Sequence, residues 1–151
     1  MTRTLSLAPI RTSPGPWSGE DIRRMPTQGF QKFLGIVLDV VSPECISAHI
    51  EVDDRHINSV GAVHGGVIIS LADSLGAMGA LQNLGSTHRT STLESKTNFV
   101  RPCLGARISA ECQPLHLGRR TSVWHTVVRD GEGRTCAHVW QTQIHTDSQA
   151  L

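Results

Sequence analysis

The sequence predicts an α+β domain in which an antiparallel sheet curls around one long central helix. Residues 67–84 are apolar or small at nearly every position, so they predict a helix without the polar stripe of a surface helix. Two strand candidates precede this helix and four follow it, and the short turns between neighbouring candidates require antiparallel pairing. A helix that is apolar on most sides is most simply buried when such a sheet wraps around it.

The strand candidates are segments rich in β-forming residues, bounded by turn residues. The clearest is residues 45–52, where apolar side chains occupy every second position. The other candidates are residues 35–41, 89–100, 106–115, 119–129 and 134–144. Residues 53–63 predict a loop that leads into the helix, and Gly85 predicts a left-handed C-cap where the helix ends.

Three segments are predicted along the chain: a flexible N-terminal arm over residues 1–26, one domain over residues 27–146 and a frayed tail over residues 147–151. Prolines with Ser, Thr and Gly between them predict little packing in the arm. Within it, Ser18 precedes two acidic residues, which favours a short helix capped by that serine. Phe30 and Phe33 are expected to pack where the chain enters the domain.

Composition excludes several classes of protein. Fourteen basic and thirteen acidic residues leave a formal charge of +1, which argues against a nucleic-acid partner. The four cysteines contain no C-x-x-C pair, so reduced thiols in a cytoplasmic protein are expected rather than a disulfide framework. The N-terminus lacks a secretory apolar segment, and no run of eighteen apolar residues predicts a membrane span.

Asp73 is the one carboxylate in the apolar helix. Its desolvation costs several kcal/mol unless a partner or a function compensates. Ser70, Ser74 and Ala77 lie on the same helical face, so a hydrogen bond to one of the serines is the structural interpretation. Alanine or leucine would serve the fold without that cost, which favours a functional carboxylate.

A second unusual feature lies just before the helix, where His64 is followed by Gly65 and Gly66. The first N–H groups of a helix lack internal partners and favour an oxygen with partial negative charge. Asn58 can add an amide donor if the turn at Gly61 folds back. Oxyanion donors together with a carboxylate suit attack on an acyl carbonyl.

Each of these residues also has a structural interpretation. The glycines fit a close crossing of two elements, and His64 fits either a loop-closing histidine or a substrate contact. Asn58 fits a turn that its own side chain stabilises.

The combined motif resembles the hotdog-fold acyl-CoA thioesterases, most of all the phenylacetate-pathway (PaaI-like) type. It consists of Asn58-x-x-Gly61-x-x-His64-Gly65-Gly66, then Leu71-Ala72-Asp73, then Thr92 and Asn98-Phe-Val-Arg-Pro102. The similarity covers about residues 35–144. It implies a homodimer joined across sheet edges, often paired into a homotetramer, with active sites at the dimer interface.

The resemblance also implies a role for each site residue. The Gly65 N–H and Asn58 would polarise the thioester carbonyl, and Asp73 from the other subunit would act as general base or nucleophile. Thr92 stands where relatives place a Ser or Thr that orients the water or the carboxylate. His64 is included among the catalytic residues and Gly66 among those that bind substrate.

Arginines near two predicted turns are candidate contacts to the phosphates of coenzyme A. These are Arg101, Arg119 and Arg120, whose guanidinium groups suit phosphate oxygens; the alternative is solvated turn charge. None of the eight histidines lies in an H-E-x-x-H motif, and G-x-S-x-G is absent. We therefore expect no metal or organic cofactor, with coenzyme A entering only as part of the substrate.

The sequence predicts a cytoplasmic acyl-CoA thioesterase that releases free coenzyme A and a carboxylic acid. Three alternatives stay open: an acyl-CoA-binding protein without turnover, a hotdog hydratase or dehydratase, and a structural dimerisation module. The binding protein predicts saturable binding without thiol release, and the hydratase predicts a helix histidine that this sequence lacks. The apolar side chains suit aryl and medium aliphatic acyl groups equally.

Overall fold

A single antiparallel sheet and one long helix form the body of the protein. The computed structural model describes residues 16–85 and 88–147. The helices are α1 (Gly19–Arg24), α2 (Gly29–Phe33) and α3 (Gly65–Gln82), with a 3-10 turn at Met25–Thr27. The strands are β1 (Val37–Val41), β2 (Ile46–Glu51), β3 (His88–Phe99), β4 (Arg107–Leu117), β5 (Thr121–Arg129) and β6 (Thr135–Asp147). The predicted fold class is confirmed.

The helix α3 lies against the concave face of the sheet and contacts β2 through β6. Eleven of its eighteen residues are buried, because its apolar side chains meet the inward residues of the strands. In length and composition α3 could cross a membrane, yet 61% of it is buried inside this domain, as expected for a core helix. Gly79 allows a close approach to the sheet, since a Cβ there would lie 2.6 Å from the Trp124 ring.

The strand order is β1-β2-β4-β5-β6-β3, with antiparallel pairing throughout. In the described part of the chain β3 pairs only with β6, so β3 presents one open edge. This edge strand is 12 residues long, and Leu93 within it is 62% exposed. Long exposed edges with apolar side chains are templates for pairing with another chain.

The end of α3 differs from the sequence-based prediction. The C-cap is Asn83 in a right-handed conformation, and Gly85 is not left-handed, so the predicted glycine cap is wrong. The Asn83 Nδ2 donates to the Gly79 carbonyl and to the Pro43 carbonyl, at 2.9 Å each. The side chain therefore satisfies a last-turn carbonyl that a glycine motif would otherwise serve.

The entry into the domain also differs. The predicted α1 forms, with a capping box between Ser18 and Asp21, but Ile22 is fully buried, so packing begins earlier than residue 27. The expected packing of Phe30 and Phe33 is wrong: they are 60% and 56% exposed and stack mainly on each other. Residues 1–15 of the predicted arm and residues 148–151 of the predicted tail lie outside the described residues.

Candidate active site

The loop before α3 is organised by the Asn58 side chain. Its Oδ1 accepts hydrogen bonds from the N–H groups of Val60 and Ala62, at 3.0 and 3.1 Å. Gly61 closes the turn with a φ of 81°, a left-handed value that favours glycine. The predicted turn role of Asn58 is therefore present. Within the described residues its Nδ2 forms no hydrogen bond, so one donor stays available for a ligand.

His56, which the sequence analysis did not single out, anchors this loop. Its ring is fully buried, where Nδ1 accepts from the Asp53 N–H at 3.0 Å and Nε2 lies 3.1 Å from the Leu34 carbonyl. These partners require the proton on Nε2. The His56 carbonyl accepts from the His64 N–H at 2.8 Å. A buried histidine thus fixes the point at which α3 begins.

The start of α3 leaves one backbone donor open. His64 is the N-cap, and its Nδ1 accepts from the Gly66 N–H at 2.9 Å. A Cβ on Gly66 would lie 3.0 Å from that nitrogen, so glycine allows the cap to form. The Gly66 N–H is thereby occupied, whereas the Gly65 N–H has no acceptor in the described part of the chain. Of the two glycine N–H groups, only that of Gly65 is ready to bind an oxyanion.

Gly65 and Asn58 border a cleft of about 450 Å³. Its other lining residues are Val60, Ala62, Val63, Ile68, Phe99, Val100, Arg101, Pro102 and Cys103. A Cβ on Gly65 would lie 3.1 Å from the Phe99 ring, so the predicted close approach at this glycine is found. An apolar cleft with a few convergent donors is typical of small-molecule sites.

Cys103 is the one thiol that borders the cleft. Burial, together with a hydrogen bond to Cys136, raises the pKa of the Cys103 thiol well above its usual range. The thiolate is the nucleophilic form of cysteine. The cleft therefore holds no activated thiol, and attack on a carbonyl must come from another group.

Asp73 lies in the middle of α3 and is half-buried. Its Oδ1 accepts from the Thr92 hydroxyl at 2.7 Å and from the Gln141 amide at 3.3 Å. The alternative partners Ser70 and Ser74 form no hydrogen bond with this carboxylate in the described residues. Its Oδ2 likewise has no partner there, so one carboxylate oxygen is fixed and the other is open.

Two glutamines on β6 complete the surroundings of Asp73, and the sequence analysis did not single them out. Gln141 and Gln143 are 1% and 0% exposed. The Gln143 Nε2 donates to the Thr92 Oγ1 at 2.8 Å. The available signal was the alternation of β6, which places both amides on the same inward face as Val139.

The two parts of the candidate site do not meet within one chain. Gly65 and Asp73 are eight residues apart on α3, which is roughly 12 Å at 1.5 Å per residue. The arginines are also divided: Arg101 borders the cleft, while the exposed Arg119 and Arg120 occupy the turn before β5. That turn lies beside the opposite end of β3 and β6, since the Arg120 carbonyl accepts from His145.

No group of three His, Cys, Asp or Glu side chains that could hold a metal ion occurs within residues 16–85 and 88–147. All four cysteines carry free thiols. The chemistry that the described residues offer is therefore that of a backbone N–H, an amide, a carboxylate and a hydroxyl. These groups suit hydrolysis of an activated acyl group.

Fold and site together define the class of hotdog thioester hydrolases, and comparison with known proteins agrees. A model of the thioesterase superfamily matches residues 60–137, a little more than half of the chain. The chain belongs to this superfamily.

Curated relatives carry names of the same chemistry. A 1,4-dihydroxy-2-naphthoyl-CoA hydrolase of Escherichia coli (strain K12) is 33% identical over 104 residues, which are 69% of this chain and 76% of that protein. The proofreading thioesterase EntH of Klebsiella pneumoniae is 33% identical over 103 residues, covering 68% and 75%. These similarities identify the chain as a thioester hydrolase.

Solved structures give the same fold over most of the chain. A thioesterase from Haemophilus influenzae superposes with a TM-score of 0.81 at 25% identity, covering 87% of this chain and 92% of that one. A thioesterase from Pseudomonas aeruginosa gives 0.80 at 27% identity, covering 86% and 94%. The antiparallel sheet around one long helix is therefore the shared framework of these enzymes.

Proposed function

We propose that this protein hydrolyses acyl-CoA thioesters at a site formed between two copies of the chain. The observation that carries the proposal is the division of the site along α3. The oxyanion donors at Gly65 and the carboxylate of Asp73 are separated by roughly 12 Å of helix, and within the described residues each keeps one open group, the Gly65 N–H and the Asp73 Oδ2. A reacting carbonyl must lie near both groups, so the second group has to come from another subunit.

The open edge of β3 supplies a means of association. Two copies of β3 that pair antiparallel extend the sheet and generate a twofold axis. Because α3 and β3 run in opposite directions, with Gly65 beside Phe99 and Asp73 beside Thr92, the axis brings the start of one α3 towards the middle of the other. Gly65 of one protomer then faces Asp73 of the partner subunit.

The same axis would also bring the separated arginines close together. Arg101 of one protomer approaches the turn that holds Arg119 and Arg120 of the partner subunit, since these groups lie at opposite ends of β3. Guanidinium groups bind phosphate oxygens in a fixed fork geometry. We assign one or two of these arginines to the phosphates of coenzyme A.

We further propose that two dimers form a homotetramer, which sedimentation analysis tests.

The reaction follows from the positions of the donors and the carboxylate. The thioester carbonyl oxygen accepts from the Gly65 N–H and the Asn58 Nδ2, so the carbonyl carbon becomes more electrophilic. A water molecule attacks that carbon while Asp73 of the partner subunit takes its proton at Oδ2. The tetrahedral intermediate collapses with cleavage of the carbon–sulfur bond, and coenzyme A leaves as the thiol once it receives the proton. General-base catalysis assigns a proton acceptor to the open Oδ2.

The apolar cleft and the names of the relatives support an acyl-CoA substrate. One curated relative is named for hydrolysis of an aromatic acyl-CoA. The chemistry proposed here needs no metal and no organic cofactor, because the leaving thiol is already activated. We infer a cytoplasmic location from the four free thiols; cell fractionation tests it.

The proposal is tested by thiol release from a panel of aryl and aliphatic acyl-CoA substrates. Asp73→Asn removes the proton acceptor while keeping the shape, so kcat should fall by at least about a hundredfold, the usual scale for lost general-base help. Asp54→Asn, at an exposed position, is the matched control and should retain full activity. Full activity in Asp73→Asn, or binding of acyl-CoA without thiol release by the wild type, would contradict the proposal.

A further inference from the structure

Two amide side chains lie in the part of the core where apolar residues would ordinarily pack. Gln141 and Gln143 occupy alternate positions on the inward face of β6 and are essentially fully buried. Burying an amide costs free energy unless its groups are hydrogen-bonded. The Gln141 amide donates to the carboxylate of Asp73, and the Gln143 amide donates to Thr92, the partner of that carboxylate. Their burial therefore points to a role at Asp73.

The hydrogen bonds around Gln143 fix the direction of every proton. An ionised Asp73 can only accept, so the Thr92 hydroxyl must donate to Oδ1 at 2.7 Å. The Thr92 oxygen is then left to accept, and the Gln143 Nε2 donates to it at 2.8 Å. The Gln143 Oε1 in turn accepts from the Thr90 hydroxyl at 2.8 Å. A rotated Gln143 amide would place two acceptors against each other.

Gln141 acts on the same carboxylate oxygen from the other side. Its Nε2 lies 3.3 Å from the Asp73 Oδ1 and 3.3 Å from the Asp73 carbonyl oxygen. Its Oε1 is buried without a partner among the described residues. Gly76 makes room for this amide, because a Cβ there would lie 2.3 Å from the Gln141 Cδ. The amide is thus held against α3 at the cost of an unsatisfied oxygen.

We infer that Gln143 and Gln141 are positioning residues for Asp73, and this inference rests on the proposed function of that carboxylate. Gln143 commits the Thr92 proton to Oδ1, and Gln141 adds a second donor to the same oxygen. With Oδ1 held by two donors, rotation of the carboxylate is restricted and Oδ2 is the oxygen presented to water. Neither glutamine lines the cleft, and both are essentially fully buried, so both should act on turnover and not on binding.

The experiment combines single and double variants, measured as kcat and KM for thiol release. Gln143→Met keeps the length of the side chain and removes the donor; kcat should fall about three- to tenfold, the scale of one neutral hydrogen bond, with KM unchanged. Thr92→Val should lower kcat by about tenfold or more, since it removes a bond to a charged group. In the Thr92→Val background, Gln143→Met should have no further effect, because Gln143 acts through Thr92.

Gln141→Met tests the second donor, which reaches Asp73 directly. Its effect on kcat should persist in the Thr92→Val background, in contrast to that of Gln143→Met. Thr126→Val is the matched control, since Thr126 is fully buried on the same face of the sheet and forms no hydrogen bond with the Asp73 network. This control should leave both kcat and KM unchanged. The thermal midpoint of each variant shows whether the fold is retained.

A gentler variant covers the case in which Gln143→Met does not fold. Thr90→Val, at a half-buried position on β3, removes the hydroxyl that donates to the Gln143 Oε1 at 2.8 Å and to the Ile144 carbonyl at 3.3 Å. The kcat should fall about two- to threefold and not at all when Thr92 is already valine. The positioning role would be overturned if Gln143→Met or Thr90→Val lowered kcat further in the Thr92→Val background. A change confined to KM would overturn it as well.

Different results would overturn the positioning role and the proposed function. Full kcat in Gln143→Met and Gln141→Met, in an enzyme that Asp73→Asn inactivates, would overturn the positioning role alone. A wild-type protein that releases no thiol would overturn the proposed function, and the positioning role with it.

Discussion

The two halves of the candidate site are built in different ways. The helix-start region, formed by Asn58, His64 and Gly65, is local in sequence and uses backbone and turn geometry to present donors. The mid-helix network, formed by Asp73, Thr92, Gln141 and Gln143, draws on α3, β3 and β6 and uses buried side chains to hold one carboxylate oxygen. The oxyanion donors are therefore positioned by contacts that are local in sequence. The Asp73 carboxylate is positioned by contacts between segments that are distant in sequence.

The difference has a physical reason. An oxyanion donor needs only a backbone N–H at a helix start, which the peptide chain provides wherever a cap and a glycine allow it. A proton acceptor must be an ionised side chain with a fixed orientation, and surrounding donors from other elements are needed to fix it. The helix-start region should therefore tolerate changes elsewhere in the sheet, and the mid-helix network should not.

The largest effect is expected for Asn58→Asp. The new carboxylate keeps an oxygen for the N–H groups of Val60 and Ala62, so the turn is retained, while the Nδ2 donor is replaced by an acceptor. Loss of one oxyanion donor lowers kcat by about 10²- to 10³-fold in other enzymes, and the same range is expected here from steady-state thiol release. Unfolding in denaturant should give a free energy close to that of the wild type.

Activity near the wild-type level in Asn58→Asp would assign Asn58 to the turn alone. Asn58→Ala separates the two roles further, because it removes both the turn acceptor and the donor. That variant should lose stability as well as activity.

Two glycines one turn apart on α3 test whether the mid-helix network depends on packing between α3 and the sheet. A Cβ would collide with Gln141 at Gly76 and with Trp124 at Gly79, at 2.3 and 2.6 Å. Both Gly76→Ala and Gly79→Ala should therefore destabilise the protein by about 1–3 kcal/mol, the usual cost of overpacking. Only Gly76→Ala should also lower kcat, by roughly threefold to tenfold, because it displaces a donor to Asp73.

Equal kcat losses in the two glycine variants would show that activity follows core packing in general. Chemical denaturation and steady-state kinetics on the same samples decide between these outcomes.

The smallest expected effect is on the pH dependence of stability, and it concerns a histidine outside the candidate site. Burial, and then repulsion from His138, lower the pKa of His125 below its ordinary 6.5. The folded protein then binds fewer protons than the unfolded chain, so this contribution to stability is complete above pH 6.5 and is lost as the pH falls below it. His125→Phe, which retains an aromatic ring beside Trp140, should make the free energy of unfolding less dependent on pH between about 7.5 and 5.5.

An unchanged slope in His125→Phe would assign the acid sensitivity to other groups. The half-buried His145, whose pKa is also lowered mainly by burial, is the next one to replace.

The element order and the central helix could be read from sequence because they depend on local patterns. The apolar run of α3 and the alternation of β2 each reflect one buried surface, and both predictions hold within a few residues. The glycine cap and the packing of Phe30 and Phe33 could not be read in this way. The end of α3 depends on Asn83 reaching the distant Pro43 carbonyl. The exposure of the two rings depends on the placement of α2, which packs against the preceding 3-10 turn.

In the candidate site, too, the residues that could be predicted are those with local sequence signals. Asn58, Gly65 and Asp73 carry signals in their immediate neighbours: a turn glycine, a helix start and an apolar helix. The alternation of β6 places the two glutamines on its inward face, but their roles depend on Thr92 and Gly76, which are far away in sequence. Arg119 and Arg120 remain predictions, because their relation to the cleft depends on a second subunit.

The most direct test of the central claim is recovery of activity from two inactive variants. Asp73→Asn and Asn58→Asp are unfolded, mixed in equal amounts and refolded together, with the same variants refolded separately as the control. If the site is shared between subunits, half of the dimers are mixed and each contains one intact site, so thiol release should return to about a quarter of the wild-type rate. If each site lies within one chain, the refolded mixture will stay as inactive as its two components.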